Sequence, residues 1–387
     1  HHGAGTFDVM ENVFDTFSEG FTLNNKQSHQ LCRIGTTRRH LCKVHVLFEQ
    51  KLSKFILVYY LSYGANGKAA KMRVHDKWLG ICIANQLKTD AIQIISESLS
   101  ARMEEITDIT VLKKGMTNRS FLFTCKGKKY IMRIPGEGTD QLINRREEAA
   151  VYQTIDGKHI CDDIAYINPE NGYKITEFLE GARVCDPSNY EDVKKCMKRL
   201  RYFHKMKLKV NHEFDIFGQM KFYETLWDGT PSIYKDYEKT KANVLSLKPY
   251  IDTHIEEKVL THIDAVPDNF LFVEKDGKEE IRLIDWEYAG MQDAHVDLAM
   301  FCIYAMYDRP QVDALIDSYF TEGCPQEVRT KIYAYIAVCG LLWSNWCEYK
   351  SRLGVEFGEY SLKQYRYAKD YYKLVKQELA KSKGQEE

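Results

Sequence analysis

His262-Ile-Asp264-Ala-Val-Pro-Asp-Asn269 sets a histidine, an aspartate and an asparagine in the order H-x-D-x-x-x-x-N. Sixteen residues after the asparagine comes Ile284-Asp285-Trp286-Glu287. A carboxylate that accepts the proton of an attacking hydroxyl, with two further oxygen donors for magnesium on the phosphates, is what phosphoryl transfer to an alcohol requires. Asp264 is the expected base. Asn269 and Asp285 supply the oxygen ligands that a hard ion such as magnesium prefers. The apolar run Ile281-Arg-Leu-Ile284 leads straight into Asp285, which puts that carboxylate at a strand end. Glu287 is within reach of the metal shell or the substrate. His262 reads as a brace for the loop, since the transfer needs only one base. Asp297, followed by Leu-Ala, reads as a second brace through backbone N–H groups.

Upstream elements must carry the nucleotide to these groups. Asp90 can cap a helix running through Ile92, Ile95 and Leu99. Three strand-like runs follow at 109–112, 120–124 and 130–134, with Lys126-Gly127-Lys128 as the turn between the second and third. Pro135-Gly136 ends the third. Gly115-Met-Thr-Asn118-Arg-Ser120 joins the first two. Its small and amide-bearing residues let N–H groups and the side chains of Asn118 and Ser120 approach phosphate oxygens, though the same residues also make ordinary turns. Arg133 lies inside the run Ile-Met-Arg-Ile, where a buried cation needs a partner. Residues 140–154 read as a helix carrying Glu147 and Glu148, and either carboxylate can pair with Arg133. A third-strand cation on the α- and β-phosphates, held by a helix glutamate, belongs to a kinase-type nucleotide lobe. A structural salt bridge is the plainer alternative. Tyr173–Leu179 is a further strand, closed by Glu180-Gly181, and from about 190 the pattern is mostly helical.

The chain has 387 residues, a length normal for a two-lobed enzyme, with 44% apolar and 28% charged residues. A net charge of −1 gives no global pull toward nucleic acid or membrane. The longest early apolar run, Phe55–Leu61, has seven residues, whereas a spanning helix needs about twenty. Eleven cysteines without a C-x-x-C pair read as reduced thiols, and a cytoplasmic location is expected. The first 90 residues hold 12 Lys+Arg and 7 Asp+Glu, with a basic cluster at Arg33, Arg38, Arg39, His40 and Lys43. A solvated basic face accounts for this cluster, and a helix-turn-helix starting near Asn24-Asn25 is the alternative. Aromatic residues are dense between Tyr333 and Tyr372. Trp343 and Trp346, three apart, share a helix face. Such a pair is either helix core or part of an aromatic cage for a quaternary ammonium.

Tyr130-Ile-Met-Arg-Ile-Pro-Gly136 with Gly138-Thr139 and Leu142-Ile-Asn-Arg145, Thr261–Phe270, and Ile284–Met291 ending in Asp297-Leu-Ala299 together resemble bacterial choline kinases. These belong to the choline/ethanolamine kinase branch of the aminoglycoside-phosphotransferase-like fold, and the resemblance covers roughly 90–387. It implies a two-lobed, protein-kinase-like α+β fold that uses ATP and Mg2+ to phosphorylate choline. Residues 90–180 would form the nucleotide lobe and 181–387 the helical lobe with catalytic loop and substrate pocket. Residues 1–89 form a segment the resemblance does not explain. It assigns Asp264 as base, Asn269 and Asp285 as magnesium ligands, Arg133 on the phosphates and Glu148 as its partner. Backbone groups around Glu177 and Leu179 would contact adenine. Trp343 and Trp346 match the paired tryptophans of the choline pocket, with Tyr360 as a third wall. Two departures stand out. Ile263 replaces an asparagine that often follows the catalytic histidine. Met291-Gln-Asp293-Ala stands where eukaryotic members bring a tyrosine to the ammonium, so Asp293 is expected to supply charge there. Alternatives are an ethanolamine or aminoglycoside phosphotransferase of the same fold, and a nucleic-acid-binding regulator whose kinase-like part senses a ligand.

Overall fold

The computed structural model describes residues 90–112, 118–136, 142–275 and 277–383, with the backbone of four short strands before them. The chain divides into two units, His1–Asp90 and Ala91–Glu387. In the first, β1 (His45–Phe48) pairs antiparallel with β2 (Phe55–Val58), and β3 (Ser62–Tyr63) with β4 (Ala69–Ala70). The basic cluster and the helix-turn-helix considered for it lie outside the described residues.

The second unit opens with helix α1 (90–99) and a five-stranded antiparallel sheet. β5 (Ile106–Val111), β6 (Asn118–Cys125), β7 (Lys128–Pro135), β8 (Ile164–Ile167) and β9 (Lys174–Glu177) are ordered β5-β6-β7-β9-β8. Phe121, Phe123 and Cys125 alternate inward along β6, as a pleated strand dictates. They meet Ala91, Ile95, Met132, Ile134 and Ile175 in a core of their own. The β6–β7 loop is two residues, Lys126 and Gly127, both at positive φ, which matches the twist of the paired strands. Helix α2 (Arg145–Ile155) starts later than its apolar pattern predicts. Asn144 caps it, Oδ1 accepting from Arg146 N at 3.1 Å and Glu147 N at 3.3 Å. β8 is an edge strand of four residues that the sequence pattern did not reveal.

The second lobe is mostly helical: α3 (Tyr190–Lys205), α4 (Ile216–Thr225), α5 (Tyr237–Leu245), α6 (Lys248–Thr253), α7 (His295–Tyr304), α8 (Arg309–Tyr319), α9 (Gln326–Arg352) and α10 (Glu359–Lys383). Two small sheets interrupt it. β10 (Arg183–Val184) joins the hairpin β12 (Phe270–Lys275) and β13 (Lys278–Leu283), and β11 (Val259–Thr261) pairs with β14 (Gly290–Gln292). Helix α9 runs through the core and is buried from Thr330 to Leu342. It packs along α10, and a Cβ at Gly340 would stand 2.8 Å from both Gln364 O and Tyr367 Cβ. The two-lobed α+β architecture is the one expected. Eight described cysteines are free. Among the described residues no helix is long and apolar enough to cross a membrane.

Candidate active site

β11 feeds the chain into a loop that Asp297, fully buried at the start of α7, holds by its backbone. Its Oδ2 accepts from His262 N at 3.0 Å and its Oδ1 from Ile263 N at 2.7 Å. His204 Nε2 lies 3.0 Å from the same carboxylate, and Tyr319 OH 2.9 Å from His204 Nδ1. Ile263 adopts φ +69°, a left-handed conformation that a β-branched residue keeps only where its surroundings impose it. His262 Nε2 donates to Ile284 O at 2.9 Å. Burial holds its imidazole below the usual range, so it stays neutral and braces the loop.

Asp264 precedes a single turn, Pro267–Asn269, and Asn269 closes it. Asn269 Nδ2 donates to Asp264 O at 2.8 Å and approaches Asp264 Oδ2 at 3.3 Å. Both amide hydrogens are thereby directed to Asp264, which leaves Asn269 Oδ1 as the acceptor face. Ile284 N donates to Asn269 O at 2.9 Å, fastening the loop to the end of β13. Asp285 follows at φ +66°. Burial, then the carboxylates of Asp285 and Glu287, pushes Asp264 up to about 8.

Arg133 joins the two lobes at this point. Its guanidinium lies 2.5 Å from Glu148 Oε1, 3.3 Å from Glu287 Oε2 and 3.4 Å from Asp285 Oδ1. Of the two candidate helix carboxylates, Glu148 is the partner. Arg145 stands 3.3 Å from Glu148 and 3.7 Å from Glu287. Burial pushes Glu148 up, but Arg133, Lys174 and Arg145 outweigh it and hold the carboxyl below its usual range. Glu287 goes the other way, raised to about 7 by burial and by Asp285, with Arg133 offsetting part of the rise. Asn118 is the first residue of β6 rather than part of the preceding loop, and its Nδ2 donates to Glu287 at 3.1 Å. Ser120 pairs across the sheet with Arg133. Gly115 lies outside the described residues.

A cavity of about 210 Å³ opens beneath the sheet, lined by Ile131, Asp162, Thr176, Leu179, Leu271 and Ile284 among others. Glu177 also borders it, although its carboxylate turns to Lys128 at 3.1 Å.

Beyond Asp264 lies an aromatic cluster. Trp343 and Trp346 of α9 meet edge to face at 5.4 Å, Tyr288 stands against Trp343 at 5.9 Å, and Phe357 against Trp346 at 5.4 Å. Tyr360 continues the cluster, 6.4 Å from Phe357 and 6.0 Å from Tyr304. Burial raises the phenols of Tyr288 and Tyr360 well above their usual range, and Asp264 is among the charges acting on both. A larger cleft of about 690 Å³ runs from Glu147 past Asp215 and Phe222 to Glu287 and Tyr288. It excludes Asp264 and both tryptophans, so the side-chain chemistry, not cavity size, locates the site.

Asp293 requires a correction. Its carboxylate is buried, 2.6 Å from Lys331 Nζ, and accepts from Tyr335 OH at 3.1 Å and His295 N at 3.0 Å. Its charge is spent on Lys331 and is not offered to a substrate ammonium. The tyrosine that the structure brings to Trp343 is Tyr288, three residues after Asp285. That short spacing was the one sequence signal for it; Tyr304 on α7 had none.

A family model for choline/ethanolamine kinase matches residues 109–337, more than half of the chain. The chain belongs to the choline/ethanolamine kinase family. It is a phosphotransferase acting on an alcohol. Protein LicA of Haemophilus influenzae is 25% identical over 264 residues, 65% of this chain and 76% of that protein. The structure of choline kinase LicA from Streptococcus pneumoniae is 27% identical with a TM-score of 0.63, covering 74% of this chain and 98% of that one. A structure of LicA in complex with AMP is 28% identical with a TM-score of 0.58, covering 70% of this chain and 94% of that one.

Proposed function

We propose that this kinase transfers the γ-phosphoryl group of ATP to the hydroxyl of choline. The observation that carries this reading is the aromatic cluster of Trp343, Trp346, Tyr288 and Tyr360 beside Asp264. Aromatic faces attract a trimethylammonium group, which has no N–H to donate. Choline's hydroxyl is two carbons from its cation, so a cation held against these rings would present the hydroxyl toward Asp264. Asp264 accepts the hydroxyl proton and orients the oxygen toward the phosphate. Trp343, Trp346 and Tyr360 lie beyond the stretch matched by the family model, so their roles rest on this geometry and on the resemblance. The solved relative named as a choline kinase supports the acceptor, and the AMP complex supports an adenine nucleotide.

Arg133 is assigned to the nucleotide phosphates, with Glu148 holding it in place. The cavity beside Glu177 and Leu179 receives the base, and Asn118 and Ser120 lie on the strand that covers the phosphates. Asn269 Oδ1 and Asp285 would hold magnesium. Two oxygens suit an ion that arrives with phosphates and keeps several waters. Among the described residues no group of three His, Cys, Asp or Glu side chains is gathered for a metal. Bound there, magnesium supplies positive charge that offsets the carboxylates now raising Asp264.

Ethanolamine is the rival acceptor, and its three N–H donors favour carboxylates over ring faces. An ADP-release assay over a panel of amino alcohols, with and without magnesium, separates them. Choline should give the higher kcat/KM and turnover should require the ion; a clear preference for ethanolamine overturns the substrate.

A further inference from the structure

The base cavity contains a carboxylate that phosphoryl transfer does not use. Asp162 lines it, is 8% exposed, and has its Oδ1 buried without a hydrogen-bond partner. A buried oxygen in that state destabilises the fold unless a donor reaches it. The nearby cation is engaged elsewhere, since Lys174 serves Tyr152 OH and Glu148. No protein donor reaches Oδ1 among the described residues, and the cavity that Asp162 lines is where one can be supplied.

Its place in the sheet indicates which donor. Ile164 pairs with Thr176, and Asp163 O accepts from Glu177 N at 2.9 Å. Continuing that register sets Asp162 opposite Phe178, beside the segment 177–179 that borders the same cavity. Leu179 N–H makes no backbone hydrogen bond among the described residues. Asp162 and Leu179 thus border one space, which Ile131, Thr176, Glu177, Leu271 and Ile284 also line. Adenine carries the complementary pair on neighbouring positions: N1 accepts and the 6-amino group donates.

We infer that Asp162 is a specificity residue for the nucleotide base, accepting a hydrogen bond from the 6-amino group of adenine. This rests on ATP being the phosphoryl donor. The test compares kcat/KM for ATP with that for purine riboside triphosphate, which lacks only the 6-amino group, at saturating choline and magnesium. The full chain should prefer ATP about tenfold or more, chiefly through KM, because a buried charged acceptor is otherwise left unsatisfied. In Asp162→Leu the two nucleotides should converge to within about threefold, and Asp162→Asn, which keeps an acceptor oxygen, should retain part of the preference. Equal use of both nucleotides by the unmodified protein overturns the inference and needs no variant to fold. Full ATP preference in an active Asp162→Leu protein, or a preference for GTP over ATP in the unmodified one, also overturns it. Absence of ADP release from ATP with any amino alcohol defeats the donor assignment itself, a result distinct from equal use.

Discussion

In the proposed reading Asp264 and Trp343 divide the work of the acceptor site, and their replacement should separate in the kinetics. Asp264→Ala removes the proposed proton acceptor but no group proposed to touch the nucleotide. Turnover should fall by about 10²–10⁴-fold, the usual worth of a positioned general base. ATP affinity, measured by calorimetry, should stay within a few-fold, and near-normal turnover would remove Asp264 from the role. Trp343→Ala should act on binding instead. A desolvated cation–π contact is worth about 2 kcal/mol, or roughly 30-fold in choline affinity. Titration with choline in the presence of a non-hydrolysable nucleotide measures it, and unchanged affinity would mean that the tryptophans are only core.

At the level of elements, strand β7, helix α2 and the segment after β13 meet in one guanidinium. Arg133→Met leaves Glu148 and Glu287 facing each other across a buried site with Arg145 and Lys174 as the remaining cations. Breaking a buried pair by removing one partner typically costs about 3–5 kcal/mol. The thermal midpoint should drop by several degrees even without ligands, and an unshifted midpoint would mean that the network is not under tension. Much of this junction was legible in the sequence. The third strand and the Asp264/Asn269/Asp285 spacing follow from local pattern and side-chain type, whereas Glu148 was set apart from Glu147 only by the family resemblance. The remainder depended on contacts between distant segments. Asn118 reaches Glu287 across 169 positions, and Tyr288 meets a tryptophan on α9, which no local pattern encodes. Asp293 misled for the same reason: a carboxylate near a proposed cation site reads as available until its buried partner, Lys331, is seen.

For the molecule as a whole, acid pulls in two directions: Asp264 and Glu287, raised to about 8 and about 7, favour the fold as pH falls, and one buried imidazole opposes them. His295 is buried against Asp293, Lys331, His204 and the rings of Tyr319 and Phe320. Burial lowers its pKa to about 4, against the 6.5 of an exposed imidazole, despite the opposing pull of Asp293. The unfolded chain therefore binds this proton first as pH falls. The contribution of this group alone is constant above 6.5, declines between 6.5 and 4, and has by then fallen by up to about 3 kcal/mol. Urea unfolding at a series of pH values should show His295→Gln gaining stability relative to the unmodified protein as pH falls from 6.5 to 4; a constant difference between the two would place the effect elsewhere.

Gly340 carries a consequence for catalysis at a distance. One hydrogen atom separates α9 from the backbone of α10 there, and the two tryptophans follow three and six residues later on the same rod. A single methyl group would act as a wedge, prising the rod aside and retuning the grip on the acceptor from a site the acceptor never meets. Gly340→Ala should raise KM for choline while leaving KM for ATP in place, so that a change which looks like a loss of stability would be felt first as a loss of discrimination.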